Sequence, residues 1–209
     1  MSDKKIVIER DREATEQKLI DTIGRMIAES GFEKIGVNAV ASQSGVSKIL
    51  IYRYFGSIDG LITAYIKQHD FWINYPIEIP TEGNIVDYLK RMFREQIIAL
   101  RKNPALKRLY RWELYTNNEM IAQLREQREK AGIARVEKFC EVTGYSPKNI
   151  SVMATVLTAS IAYLALLEEF CPVYNGIAIN QDSGWEQICD GIDLLIEKVL
   201  TETDDRCAK

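Results

Sequence analysis

Ser47 to Phe55 read SKILIYRYF. In a helix, Lys48, Ile49, Tyr52 and Arg53 share one side, Leu50 and Tyr54 flank it, and Ile51 and Phe55 take the other. A face that mixes cations, phenols and an aliphatic side chain suits the major groove of double-stranded DNA. Cations and hydroxyls meet phosphates and base edges there, and apolar groups meet thymine methyls. The residues just before supply a helix-turn-helix. Val40-Ala41, Gly45-Val46, Ile51 and Tyr54 have its spacing, with a small residue at the crossing, a glycine able to take positive φ at the turn, and Ser47 as the cap of the second helix.

Around this segment the pattern is helical throughout, with no convincing alternating strand. Leu19, Ile20, Ile23, Met26 and Ile27 form a stripe that predicts a helix from Thr15 to Ser30. Short helices follow at 38–44 and 47–55, and Ser57 caps a longer one running to about Tyr75. YPIEIP is a connector. Asn84 opens a helix lined by Leu89, Met92, Phe93 and Ile97, Pro104 opens the next, and a charged helix ends at Gly144. Ile150 to Leu167 is eighteen residues without a charge, at the lower length of a membrane span. Its internal Ser151, Thr155, Thr158 and Ser160, and the lack of a second such run, argue for a soluble helix covered on every side. Val152, Val156, Tyr163 and Phe170 lie on one face, and Ile150, Leu157, Ile161 and Leu164 on the opposite one. The last helix opens with the capping box Ser183-Gly184-Trp185-Glu186 and carries a stripe of Trp185, Ile188, Ile192, Leu195, Ile196 and Val199. Two such helices from each of two subunits would pair in a homodimeric four-helix bundle. The expected fold is therefore all-α, with about nine helices.

The run FEKIGVNAVASQSGVSKILIYRYFGSIDGLITAYI resembles the amino-terminal domain of the tetracycline-repressor (TetR) family, whose recognition helix carries G-V-S-x-x-x-x-Y-x-Y-F. The match covers roughly residues 15 to 66. The resemblance implies a helix-turn-helix DNA-binding domain over residues 1–56 and a helical ligand-binding and dimerisation domain over 57–209. It further implies DNA contacts from Ser47, Lys48, Leu50, Tyr52, Arg53 and Tyr54. Two positions depart from the family pattern. Gly36-Val37-Asn38 stands where a serine or threonine usually opens the second helix, so Asn38 becomes the candidate cap or phosphate contact. Ile58 replaces a lysine that would reach a phosphate.

Composition excludes much else. The 209-residue chain has a net charge of -3, and residues 1–56 carry nine Lys/Arg against eight Asp/Glu. The electrostatics of DNA binding must then come from a localised patch. His69 is the only histidine, and Cys140, Cys171, Cys189 and Cys207 lack metal-ligand spacing, so reduced cytoplasmic thiols are expected and neither metal nor cofactor. With no phosphate-binding glycine loop and no nucleophile–base set, an enzyme is not expected. The opening MSDKKIVIERDRE is not a signal peptide. Trp72, Tyr88, Met92, Gln96, Trp112, Tyr115, Met153 and Tyr163 are the candidate lining of a mostly apolar pocket. Glu113 is a candidate selector of a lipophilic cation there. The combined expectation is a cytoplasmic homodimeric regulator, a repressor released from a palindromic operator by an apolar or aromatic small molecule. A helical protein-interaction adaptor with a degenerate helix-turn-helix is the alternative.

Overall fold

A computed structural model gives the backbone of residues 2–80, 83–116 and 118–202, with side chains at all of these except 2–10, 33 and 202. Cys207 lies outside the described residues. Among them the chain forms ten α-helices, one 3-10 turn and no strand beyond an isolated bridge between Tyr174 and Ile177. It divides into two compact units. One holds residues up to Asp70 together with Pro104–Leu124, and the other holds Phe71–Asn103 with the residues from Arg125 onward.

In the first unit, α1 (Ser2–Ser30) packs against α2 (Val37–Ser44), α4 (Ile58–His69) and α7 (Pro104–Tyr115), while α3 (Lys48–Phe55) packs against α2 and α4. The stripe of α1 explains this: Leu19, Ile23, Met26 and Ile27 recur every three or four residues and are buried. Leu61, Ile62, Tyr65 and Ile66 supply the facing stripe of α4, and Leu106 and Leu109 that of α7. The 3-10 turn Phe32–Lys34 is held to α7 by Phe32, whose ring stacks on Trp112 with centroids 4.4 Å apart. α1 begins well before Thr15. Its charged opening lacks an apolar stripe, but its lysines, glutamates and arginines are good helix formers, and Arg12 pairs with Glu16 one turn on at 2.6 Å.

α4 ends at His69, earlier than the sequence pattern suggests, because Asp70 is fully buried in an extended conformation. A separate turn of helix, α5 (Phe71–Asn74), follows, which raises the helix count from nine to ten. Ser57 caps α4 by accepting the Gly60 N–H at 2.9 Å. The joint is tight. A Cβ on Gly60 would lie 1.9 Å from the Phe55 carbonyl oxygen.

In the second unit, α6 (Ile85–Arg101) packs against α5, α9 (Pro147–Leu167) and α10 (Asp182–Glu202), while α8 (Glu119–Thr143) starts in the first unit and continues into the second. Asn84 caps α6 through the Val86 N–H at 2.9 Å. Tyr88, Leu89, Met92, Phe93, Gln96, Ile97 and Leu100 form its buried face. The faces of α9 separate as its sequence indicates: Ile150, Leu157 and Ile161 are buried, and Val152, Val156 and Tyr163 are exposed. The stripe of α10 splits. Trp185, Ile192 and Ile196 turn inward, whereas Leu195 is 53% exposed beside Leu194.

Ser183 does not cap α10. The helix starts one residue earlier, at Asp182, whose carboxylate accepts a 2.8 Å hydrogen bond from Arg101. Arg101 also donates to buried Glu168 at 2.9 Å, and Glu168 accepts the Trp185 indole N–H at 3.0 Å. Arg94 on α6 reaches Asp193 at 2.7 Å, and Asp190 and Glu186 at 3.3 Å each. Ser146 occupies the cap position of α9 without a side-chain cap bond, and Pro147 opens that helix.

Gly60→Ala is expected to lower the stability of the first unit by about 2–3 kcal/mol, because the added methyl must displace backbone rather than a flexible side chain. Urea denaturation followed by circular dichroism checks this, and an unchanged midpoint would contradict the tight joint.

Candidate functional site

The turn between α2 and α3 is built from four residues. Ser44 is buried at the end of α2, and its hydroxyl accepts the Val46 N–H at 3.1 Å. Gly45 takes φ 67° and ψ 15°, a left-handed conformation that favours glycine. Val46 turns into the core. Ser47 caps α3 by accepting the Ile49 N–H at 3.3 Å. With its start and direction set this way, α3 buries Ile51 completely and half-buries Leu50, Tyr54 and Phe55. The opposite face is open: Ile49 is 70% exposed, Tyr52 is 53% exposed, and Lys48 and Arg53 are exposed beside them.

Tyr54 is partly engaged elsewhere, since the Arg12 guanidinium lies 5.2 Å from its ring centroid. α2 begins at Val37 with Gly36 at its cap position, so Asn38 lies inside the first turn and does not cap it. Asn38 is exposed, and no side chain caps the helix, which leaves first-turn N–H groups of α2 without an intrahelical partner. Those amides border a polar groove of about 580 Å³ lined by Lys34, Ile35, Asn38, Lys48 and Tyr52, among others. Lys34 was not among the expected site residues. It lies in the 3-10 turn ahead of α2, and only the folded arrangement brings it near Lys48.

A second concavity lies wholly in the other unit. It is a cavity of about 510 Å³ that α6, α8 and α9 enclose, with Trp72 and Ile79 contributing from the preceding segment. Trp72, Tyr88, Met92 and Met153 line it, as do Phe93, Phe139 and Ile150. Gln96 is buried on the same face of α6, its side-chain carbonyl without a partner among the described residues, but it is not part of the lining. Three expected residues lie elsewhere. Trp112 is stacked on Phe32 in the first unit, Tyr115 is 72% exposed at the end of α7, and Tyr163 is 55% exposed with its ring against Tyr174. Glu113 is buried on α7 and does not line the cavity.

Sequence reasoning missed the cations of this cavity. Arg125, Arg128 and Arg135 line it together with Gly132, Val136 and Phe139. Their spacing, R-x-x-R-x-x-x-G-x-x-R-V-x-x-F, is one face of a helix and was available as a signal. Arg135 is buried, and burial pushes its guanidinium below its ordinary range, opposed by neighbouring Tyr88 and Tyr75. Burial raises the Tyr88 phenol, with Arg135 opposing. Burial also raises Tyr75, helped by its hydrogen bond to Glu95. The Cys140 and Cys189 thiols are raised by burial too, and neither is a reactive thiolate.

An amino-terminal helix-turn-helix with an exposed cationic and aromatic second helix defines a DNA-binding class of protein. Comparison with known proteins agrees. Residues 19–65 match the bacterial regulatory proteins of the tetR family. Uncharacterized HTH-type transcriptional regulators from two Mycobacterium tuberculosis strains are 28% identical over 100 residues, which is 46% of this chain and 49% of theirs. The chain thus spans about half the length of these curated relatives. Among solved structures, a tetR-family transcriptional regulator from Streptomyces coelicolor aligns with a TM-score of 0.60 at 15% identity, covering 90% of this chain and 89% of its own. GusR of Salmonella enterica aligns with a TM-score of 0.65 at 17% identity, covering 90% and 96%. Over residues 19–65 the chain therefore carries the amino-terminal domain of the bacterial regulatory proteins of the tetR family.

Proposed function

We propose that this chain acts in the cytoplasm as a homodimeric transcriptional regulator, a repressor that a small molecule releases from a palindromic operator. The observation that carries the DNA side of this reading is the open face of α3. Lys48, Ile49, Tyr52 and Arg53 project from a helix whose cap, turn and buried side are all satisfied within the domain. Such a helix has no structural need for those side chains. Tyr52 and Arg53 read base edges, Lys48 and Ser47 meet phosphates, and Leu50 and Tyr54 border the contact. The uncapped first turn of α2, which includes Asn38, donates its N–H groups to a phosphate oxygen in place of the missing cap. Lys34 and Lys48 supply charge on the same groove, which offsets the near-neutral balance of the domain and the isoleucine at 58.

The second subunit covers the outer faces of α9 and α10. Val152, Val156, Tyr163 and Phe170, together with Leu194 and Leu195, are all more than half exposed on the protomer. An apolar helix such as α9 needs a cover on that side. By length and composition α9 could also cross a membrane, but its inner face is already committed to α6 and α10. A twofold pair places two recognition helices one turn of DNA apart, or a multiple of it, and so reads a palindrome. The apolar cavity receives the effector. Ligand binding there favours the conformation that fits the operator poorly, and α8, which begins in the first unit and lines the cavity, is one covalent route of coupling.

Two outcomes test this reading. On a DNA fragment selected by the wild-type protein, Tyr52→Ala and Arg53→Ala should each weaken binding by about 1–3 kcal/mol with unchanged thermal stability. Undiminished binding by both folded variants would overturn the assignment of this face. Val156→Glu combined with Leu195→Glu changes only residues exposed on the protomer. Sedimentation should show this variant as a folded monomer at micromolar concentration where the wild type is a dimer, and a wild-type monomer would refute the interface.

A further inference from the structure

We infer that the cavity of the second unit takes an anionic amphiphile, a carboxylate carried on an apolar body, with its head between Arg135 and Tyr88. This rests on the proposed role of the cavity as an effector site and specifies the chemistry of the effector.

The walls set the body of the ligand. Leu89, Met92, Phe93, Phe139, Ile150 and Met153 present carbon and sulfur, and about 510 Å³ lies within the usual range for small-molecule sites. The polar groups set the head. Arg135 is 7% exposed, and among the described residues no carboxylate pairs with it. Its terminal nitrogens donate to the carbonyls of Trp72 at 3.1 Å and Tyr75 at 2.9 Å, with a longer contact to Ala131 at 3.5 Å. The Trp72 and Tyr75 rings flank the guanidinium, with centroids 5.2 and 5.7 Å away. These contacts hold the side chain in place, but they do not neutralise it.

Among the described residues the buried Arg135 Nε has no hydrogen-bond acceptor, and the Tyr88 hydroxyl, equally buried on the same cavity, has no partner either. Arginine remains a cation even where burial lowers its pKa. An unneutralised buried charge and two unmade hydrogen bonds are costly features for a closed core. They are removed together by one guest that brings a negative charge and two acceptor oxygens. A carboxylate has that composition. Arg125, Arg128 and Glu129 also line the cavity.

The test uses the full chain and a matched set of probes below their micelle concentrations: decanoate, decyl phosphate, decanol and decylammonium, measured by calorimetry without DNA. Decanoate should bind about tenfold or more tighter than decanol, and decylammonium most weakly. Decyl phosphate binding tighter than decanoate, or decanol or decylammonium matching it, would overturn the carboxylate assignment. Tyr88→Phe removes only the hydroxyl and should weaken decanoate several-fold while leaving decanol unchanged. Arg135→Gln should abolish the preference for the anion, and Arg135→Lys should restore part of it. A purely structural Arg135 would change stability but not the ratio of decanoate to decanol affinity, and that result would also overturn the proposal. Calorimetry without DNA tests the cavity alone, so decanoate binding there combined with unaltered operator affinity in a separate DNA-binding assay would count against the regulatory reading and not against the cavity chemistry.

Discussion

A two-turn helix packed on one side must leave its other side open, and the eight residues of α3 carry large side chains on both. Burying Ile51 against the core commits Lys48, Ile49, Tyr52 and Arg53 to the outside. Everything around α3 serves to hold that choice. Ser44 and Gly45 set the angle of the turn, Ser47 fixes where the helix begins, and the close joint at Gly60 fixes where it ends. Without that definition at both ends, a slip of one residue would rotate the apolar side by about 100° away from the core. The exposed face is therefore a product of constraint on the buried one.

The second unit solves a different problem. Its α6 has a continuous apolar side, which packs against α9 and α10, and a polar margin where Arg94, Lys90 and Arg101 meet acids of α10 and Glu168. Most of these pairs are partly exposed, so they define register more than they add stability. Arg135 stands apart from that pattern. It is the buried cation of the cavity that the polar margin does not answer, and it lies among apolar walls with its neighbouring phenol unpartnered. The contrast between answered and unanswered charge distinguishes the scaffold from the cavity.

Local signals of cap and period carried far in this chain. Ser57, Asn84 and Pro104 mark helix starts because a side-chain oxygen or a fixed φ acts on residues within one turn. The two faces of α9 were legible for the same reason. Features that depend on distant partners were not. Nothing near Asp70 in sequence announces that it will be buried and extended, and nothing near Trp112 announces a stacking partner at Phe32. The Ser183 capping box was plausible locally, but Arg101 draws Asp182 to the helix start. The open face of α3 was readable because a helix-turn-helix is compact in sequence. The cavity was half readable. Its aromatics and methionines were visible as a composition bias, whereas its arginines required recognising that α8 also has a stripe.

The central claim is that the open face of α3 reads a DNA sequence, and the most direct measurement is a comparison of affinities across salt. Genomic fragments retained by the wild-type protein would be trimmed to the minimal bound sequence, which the proposed dimer makes a palindrome, and its binding compared with a scrambled duplex of equal length. The account predicts a preference of about a thousandfold or more for the palindrome at physiological ionic strength, with both affinities falling as salt rises. Equal affinity for palindrome and scramble at every salt concentration would contradict it.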